Sequence, residues 1–448
     1  MVLAVLAFAP AHAQVGRFDV AISSAPSPVG AGARATGVGS AFIALADDAT
    51  AASWNPGGLV QLERPEISAV GLGVYETDHV PRNVTETADL LEDDRVGRSD
   101  VGAAHLDYLS VAVPFSWGGR NVIASLNYQQ TFSFDREFSL HYEQTRPESF
   151  STADGTFEQG GALYALSPAF AAEVLPELSL GVAVNFWMDG IGRAVAWDSR
   201  LDVHNTLDFA GEHSESQSTF KTRNDLFDGT NATFGVLWRA TEVLRVGSVV
   251  KLPFQAGFRN VTTAFDSGVQ TGERRARLRM ELPLQVGLGV AVQPTDELRV
   301  SVDVTHVRWD EFRLSDSQGN EYLISGDPVD PANPLYPSDG PPGGYHADPV
   351  TTVRAGGEYL LRLSEGVIAL RLGAFHDPEP SRGAPEDCYG GSIGFGFTWD
   401  RASIDLAYQL RTGQNLDGVA VLNNVLAQPE NAIDVTQHNL YVSTVAYF

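Results

Sequence analysis

The connections between the apolar, alternating segments of this chain are short and long by turns, and few folds tolerate that rhythm. Fourteen strand-like segments can be read between 65–77 and 437–448. The short links are Ser116–Arg120, the turn at Leu175-Pro176, Thr241-Glu242, Pro294–Glu297, Ser364–Gly366 and Asp400-Arg401. The long ones cover 78–104, 141–159, 198–229, 263–273, 311–349, 377–387 and 413–436. A barrel inserted into an outer membrane from the periplasm keeps short turns on the inner side and long loops on the outer side, with an even strand count. The chain therefore reads as all-β, a transmembrane antiparallel β-barrel of about 14 strands.

Period-2 patterning supports the same reading. From Arg275 to Val292, Ala276, Leu278, Met280, Leu282, Leu284, Val286, Leu288, Val290 and Val292 fall on one face. Arg275, Arg277, Arg279, Glu281, Gln285, Gly287 and Gly289 fall on the other. One unbroken strand with a lipid face and a lumen face is expected there. Leu298–Val304, Ile368–Ala374 and Ala402–Arg411 repeat the pattern. A soluble sandwich also alternates, but it rarely needs strands this long. The last strand, Leu440 to Phe448, ends in an aromatic, which resembles the signal that outer-membrane assembly machinery recognises.

Composition excludes several alternatives. Although 43% of residues are apolar, no run approaches the roughly 18 that a spanning helix needs. With 56 Asp+Glu against 30 Lys+Arg, the chain lacks the basic footprint of a nucleic-acid binder. Lys221 and Lys251 are its only lysines. Cys388 stands alone, which leaves no intrachain disulfide and no thiolate cluster. The histidines lack metal spacing, and no G-x-S-x-G elbow is present. No enzyme activity, metal or cofactor is expected. The aspartates of the Gly/Pro-rich stretch 315–349 have no calcium-ligand spacing and read as solvated loop charge.

The apolar run Val2–Pro10 followed by Ala11-His12-Ala13 reads as an export signal over 1–13, though without a basic start. Residues 14–64 form a second unit, rich in small residues, ahead of the barrel at 65–448. Short helices are expected at Ala41–Leu45 and at Ala49–Trp54, the latter N-capped by Asp47-Asp48 and ended by Pro56 and Gly57-Gly58. Fifty compact residues before a barrel suggest a helical hatch in the lumen, with a periplasmic tail as the alternative.

Gly32-Ala33-Arg34-Ala35-Thr36-Gly37-Val38-Gly39-Ser40-Ala41-Phe42, then Ala46-Asp47-Asp48 and Asn55-Pro56-Gly57-Gly58-Leu59, closely resembles the hatch of the FadL/toluene-transporter family. Val38 and Gly57 depart from its usual Met and Ala. Leu282-Pro283, Pro294-Thr295-Asp296, Asp303 to Trp309, Arg354 to Tyr359 and Arg371-Leu372-Gly373 are similar to later parts of the family; the outer loops are not. The resemblance implies a fourteen-stranded barrel closed by a hatch, with Arg34, Gly37, Gly39, Asp47, Asp48, Asn55 and Pro56 in its motif. It also implies capture of a hydrophobic molecule at outer loops, lumenal binding, and lateral release at a kinked third strand. Asn127, Tyr128 and Phe132 fall at that kink.

Long-chain fatty acids are the leading cargo, with aromatic hydrocarbons as the alternative. A protein-binding secretion component of the same fold is a further reading, and the hatch speaks against an open porin. A carboxylate head in a low-dielectric lumen needs a cationic partner. Alternation puts Lys251, Arg245, Arg275, Arg277, Arg279 and Arg371 inward, together with Arg354 and Arg411. Most of these would pair with lumenal acids such as Glu281, Glu358, Asp303 and Asp405, and Arg34 would tie the hatch to the wall. The expected protein is a monomer in contact with outer-membrane lipid.

Overall fold

The computed structural model describes residues 32–84, 92–322, 347–380, 384–417 and 432–448. The export-signal reading at 1–13, the start of the N-terminal unit and most of the 315–349 stretch lie outside them. Fourteen staves form a closed antiparallel barrel. They are β1 (Glu66–Val84), β2 (Glu92–Trp117), β3 (Arg120–Ser133 and Arg136–Arg146), β4 (Ser149–Leu175) and β5 (Leu178–Met188 and Trp197–Phe209). Next come β6 (Glu212–Arg239), β7 (Leu244–Lys251 and Phe254–Asp266), β8 (Val269–Leu282 and Gln285–Val292) and β9 (Leu298–Val307 and Arg313–Asp316). The last five are β10 (Val350–Leu363), β11 (Gly366–His376), β12 (Cys388–Trp399), β13 (Ala402–Asp417) and β14 (Ala432–Tyr447). Each pairs with its sequence neighbour, and β1 pairs with β14 from Glu66↔Tyr447 to His79↔Asp434, which closes the wall. Closure removes the two free edges that an open sheet would expose to lipid.

Four of the expected long loops are instead largely strand. β1 and β2 run on to Val84 and from Glu92, and 141–159, 198–229 and 263–273 are hairpins whose turns lie at 147–148, 210–211 and 267–268. These segments are polar because they rise above the bilayer into water, not because they are irregular.

The continuous strand expected over 275–292 is likewise corrected. Pro283 cannot donate to the ladder, and β8 is broken at Pro283-Leu284. Below the break, Leu288, Val290 and Val292 are exposed to lipid while Gln285, Gly287 and Gly289 point inward. Above it the faces exchange: Leu278, Met280 and Leu282 are buried inside, and Arg275, Arg277 and Arg279 are exposed outside. β7 breaks in the same way at Leu252-Pro253, β3 at Phe134-Asp135, β5 at 189–196 and β9 at 308–312. Ten residues from Val292 up to Pro283, at ~3.3 Å each and tilted ~40°, rise about 25 Å, the height of an outer-membrane apolar band. The breaks thus lie at the outer membrane surface. Below them the wall is apolar outside and polar inside. Above them it has a water-soluble protein's polarity, with Phe134, Trp197, Phe258, Met280 and Trp309 in one inner apolar cluster.

The remaining alternating segments face as expected. Val300, Val302, Leu370, Leu372, Ile404 and Leu406 are exposed to lipid, whereas Ser301, Asp303, Arg371 and Asp405 are buried inside.

Candidate functional site: the filled lumen and its cavity

Residues 32–64 cross the inside of the barrel as two short helices, α1 (Ala33–Gly37) and α2 (Ala51–Trp54), and a 3-10 turn, Pro56–Gln61. The helix expected at Ala41–Leu45 is a turn there. Wall side chains take its backbone groups instead: Ile43 donates to Asp303 Oδ2 (2.7 Å), and Ser301 Oγ donates to the Ala41 carbonyl (2.7 Å). Nor does Asp47-Asp48 cap α2, whose N-cap is Thr50; Asp48 instead accepts the Thr50 amide at 2.8 Å in a local turn.

Wall glycines make the seat. A Cβ at Gly356 would meet the Val38 backbone, one at Gly373 the Gly39 backbone, and one at Gly181 the Pro56 carbonyl. Gly39 itself has φ +67°, a conformation that glycine adopts without cost. Asn55 fixes the turn by donating to the carbonyls of Ile43 and Val236, both at 2.9 Å. Pro56 follows it at the first position of the 3-10 turn.

A chain of alternating charges links the segment to the far wall. Arg299 contacts Asp47 (3.0 Å), Asp47 contacts Arg34 (2.7 Å), and Arg34 contacts Glu358 (3.0 Å). Arg371 then joins Glu358 (2.7 Å) to Asp405 (2.6 Å). Three cations and three anions balance, which offsets the cost of burying them. Burial alone would raise the Asp47 carboxyl, but Arg34 and Arg299 outweigh it and hold it below its usual range. Asp48, buried and only partly compensated by Arg34, is raised. Burial would lower the Arg34 guanidinium, but Asp47 and Glu358 more than reverse that.

Above the segment lies a cavity with about 810 Å³ of empty space. Its apolar side is Phe132, Trp187, Phe254, Leu282, Val307 and Trp309; Trp187 stacks on Phe254 with centroids 4.9 Å apart. Its polar side carries Lys251 with Gln129, Asn185, Asn231, Thr233 and Gln285. The amides are mutually bonded: Asn185 Nδ2 and Trp187 Nε1 both donate to Asn231 Oδ1, at 2.9 and 3.0 Å. An adjoining space of about 1020 Å³ shares Lys251 and Phe132 and extends to Leu72, Asp107 and Tyr441.

That second space approaches an interruption in the wall. β2 and β3 pair from Trp117↔Arg120 to Tyr108↔Gln129 and again from Arg98↔Ser139 to Glu92↔Thr145. Between these ladders, 99–107 and 130–138 are not paired with each other. β3 carries an extra residue between Gln130 and Phe132, and β2 a bulge at Asp107. The expected kink residues surround this irregularity. Asn127 is fully buried and held by the Tyr108 hydroxyl (2.7 Å) and the Ser167 carbonyl (2.7 Å); Tyr128 stacks on Tyr164 at 5.3 Å. His105 Nε2 and Asp135 Oδ2 approach to 2.7 Å across the unpaired stretch.

Of the expected ligand cations, Lys251 alone lines the first cavity. Arg245 donates to Gln61 at 2.8 Å and so serves the N-terminal segment. Arg371 belongs to the charge chain, Arg354 pairs with Asp377 (3.0 Å) and Arg411 with Glu379 (2.7 Å). Arg275, Arg277 and Arg279 face outward, because the break at Pro283 exchanges the faces of β8. Sequence reasoning missed Trp187, Phe254 and the Asn185–Asn231 pair. Alternation does not tell a lumenal aromatic from a girdle aromatic, but the shift at Pro253 beside Phe254 is a readable signal.

The outer membrane protein transport family, described as OMPP1/FadL/TodX, matches residues 20–360. Among solved structures, a Pseudomonas aeruginosa FadL homologue is similar over 95% of this chain and 100% of its own, with TM-score 0.60 and 13% identity. The Pseudomonas putida toluene transporter TodX gives TM-score 0.55 at 13% identity, covering 95% and 100%. The Ralstonia pickettii toluene transporter TbuX gives 0.52 at 13% identity, covering 94% and 99%. At such identities these likenesses speak for the fold alone. No curated protein matches the chain. With the family match spanning most of its length and the fourteen-stranded wall around it, the chain belongs to the OMPP1/FadL/TodX family, transporters of hydrophobic compounds in the outer membrane of Gram-negative bacteria.

Proposed function

We propose that the cargo is a long-chain fatty acid, held in the lumenal cavity and released sideways between β2 and β3. The observation that carries this reading is Lys251 on the polar side of a cavity whose other side is aromatic and aliphatic. An acyl chain gains about 0.8 kcal/mol for each methylene taken from water. Its carboxylate gains from a cation where the dielectric is low. Residues 32–64 act as the hatch: they fill the lumen below the cavity, so a sideways path is the alternative to a watery channel. The unpaired stretch beside the second space supports that path.

The test is equilibrium binding of a labelled long-chain fatty acid to the refolded barrel, with toluene and a short acid as competitors. Saturable binding that the short acid does not displace is expected. Displacement by toluene alone would move the cargo to aromatic hydrocarbons, which the Trp187–Phe254 stack would accommodate. Failure to bind either, with the barrel intact, would favour a protein partner.

A further inference from the structure

The outer face of the wall above the breaks carries five arginines on three adjacent staves: Arg223 on β6, Arg259 on β7, and Arg275, Arg277 and Arg279 on β8. Asp225, Asp228, Glu273 and Glu281 share that face, so the five arginines make a local excess of positive charge in a chain of net charge −26. Register makes it denser. Arg259 stands directly opposite Arg277, and Arg275 and Arg279 flank Arg277 on the same face. Like charges directly opposed across a ladder are destabilising. Asp225 answers two of the five, contacting Arg259 at 2.7 Å and Arg223 at 2.9 Å, and Glu273 answers Arg275 at 2.6 Å. Arg277 and Arg279 are exposed and have no ion-pair partner among the described residues. Opposite Arg279 stands Gly257, above which the outer surface is open.

Height identifies what meets these residues. Arg279 lies four residues above Pro283, and thus roughly 10 Å above the top of the apolar band. That is the headgroup layer of the outer leaflet. Guanidinium forks match phosphate oxygens in pairs, and two uncompensated guanidiniums on one face offer a doubly charged ligand more than a single charge would gain.

The geometry points to a lipid site: Arg277 and Arg279, flanked by Arg259, bind the phosphates of a phosphorylated glycolipid of the outer leaflet, whose acyl chains lie on the wall below, down to the exposed Leu288. The site is on the lipid side of the wall and is separate from the cargo cavity.

The test is binding of bisphosphorylated lipid A to the full barrel in a neutral detergent, against the same lipid with its phosphates removed. The wild-type barrel should prefer the phosphorylated form by about tenfold or more, a preference that salt weakens. R277Q/R279Q should abolish the preference while leaving the melting temperature within a degree or two of wild type. Should that pair fold poorly, R279Q alone should lose most of the preference. Inorganic phosphate at equal concentration should not displace the lipid, because it lacks the acyl chains. Equal binding of the two lipids by the wild type would overturn the inference. So would a preference undiminished in a folded variant, or displacement of the lipid by inorganic phosphate alone.

Discussion

Lys251 and Arg34 are both cations inside the barrel, and their surroundings give them different tasks. Lys251 lines the cavity together with Gln129, Asn185, Asn231 and Asp377, whereas Arg34 is held in the charge chain by Asp47 and Glu358. Lys251→Met should therefore weaken fatty-acid binding by ten-fold or more, as about 1.4 kcal/mol or more of a charge-assisted contact is lost. Binding of an uncharged hydrocarbon of similar length should stay within about two-fold; isothermal titration of both ligands checks it. Arg34→Ala removes the cation that Asp47 and Glu358 share, leaving them only Arg299 and Arg371, and should cost about 3 kcal/mol, read as a lower melting temperature and early proteolysis of the N-terminal segment. Acid should act on the same contact. The Asp47 carboxyl is held below its free value, so its stabilisation is complete above ~pH 4 and is lost as pH falls through the folded value. Asp48 is shifted the other way and loses nothing on protonation. Limited proteolysis between pH 5 and 2 should show acid release of the segment. Asp47→Asn should already be loose at pH 5, and Asp48→Asn should behave as wild type.

At the scale of elements, two devices organise the wall: glycines where the N-terminal segment approaches, and breaks where the surroundings change from lipid to water. Gly373→Val puts a side chain where the Gly39 backbone lies. The barrel should still assemble, since its outer faces are unaltered, but the segment should be cleaved by protease and the channel should conduct ions. Gly257→Ala, which meets open space, should change neither. The alternation of short and long links, the fourteen staves and the segment carrying Arg34 and Asn55 were legible in the sequence, because period and turn chemistry are local. The direction of each face was not. Arg275–Arg279 and Leu288–Val292 have the same alternation, and only the shift at Pro283 sends one set into water and the other into lipid. A proline inside a strand signals such a shift. The helix expected at Ala41–Leu45 failed for a related reason: Asp303 and Ser301, more than 250 residues away, satisfy the backbone that a local helix would otherwise have satisfied.

For the whole molecule, the interruption between β2 and β3 leaves 99–107 and 130–138 without a ladder between them. His105 and Asp135 reach across it. His105→Cys with Asp135→Cys, in a Cys388→Ser background, should tie the two staves together when oxidised. Uptake by cells should then stop while equilibrium binding by the purified barrel persists, and reduction should restore uptake. Uptake that continues through the cross-link would rule out this exit. The interruption also has an altitude. Residue 107 is about ten positions above the periplasmic end of β2 at Trp117, so the opening starts where the hydrocarbon of the outer leaflet ends. A molecule leaving there joins the upper monolayer and has not yet crossed the membrane. The protein's task then finishes at a partition, raising the concentration of cargo in one leaflet. Moving to the inner leaflet and detaching from it are left to diffusion and to whatever consumes the cargo on the other side.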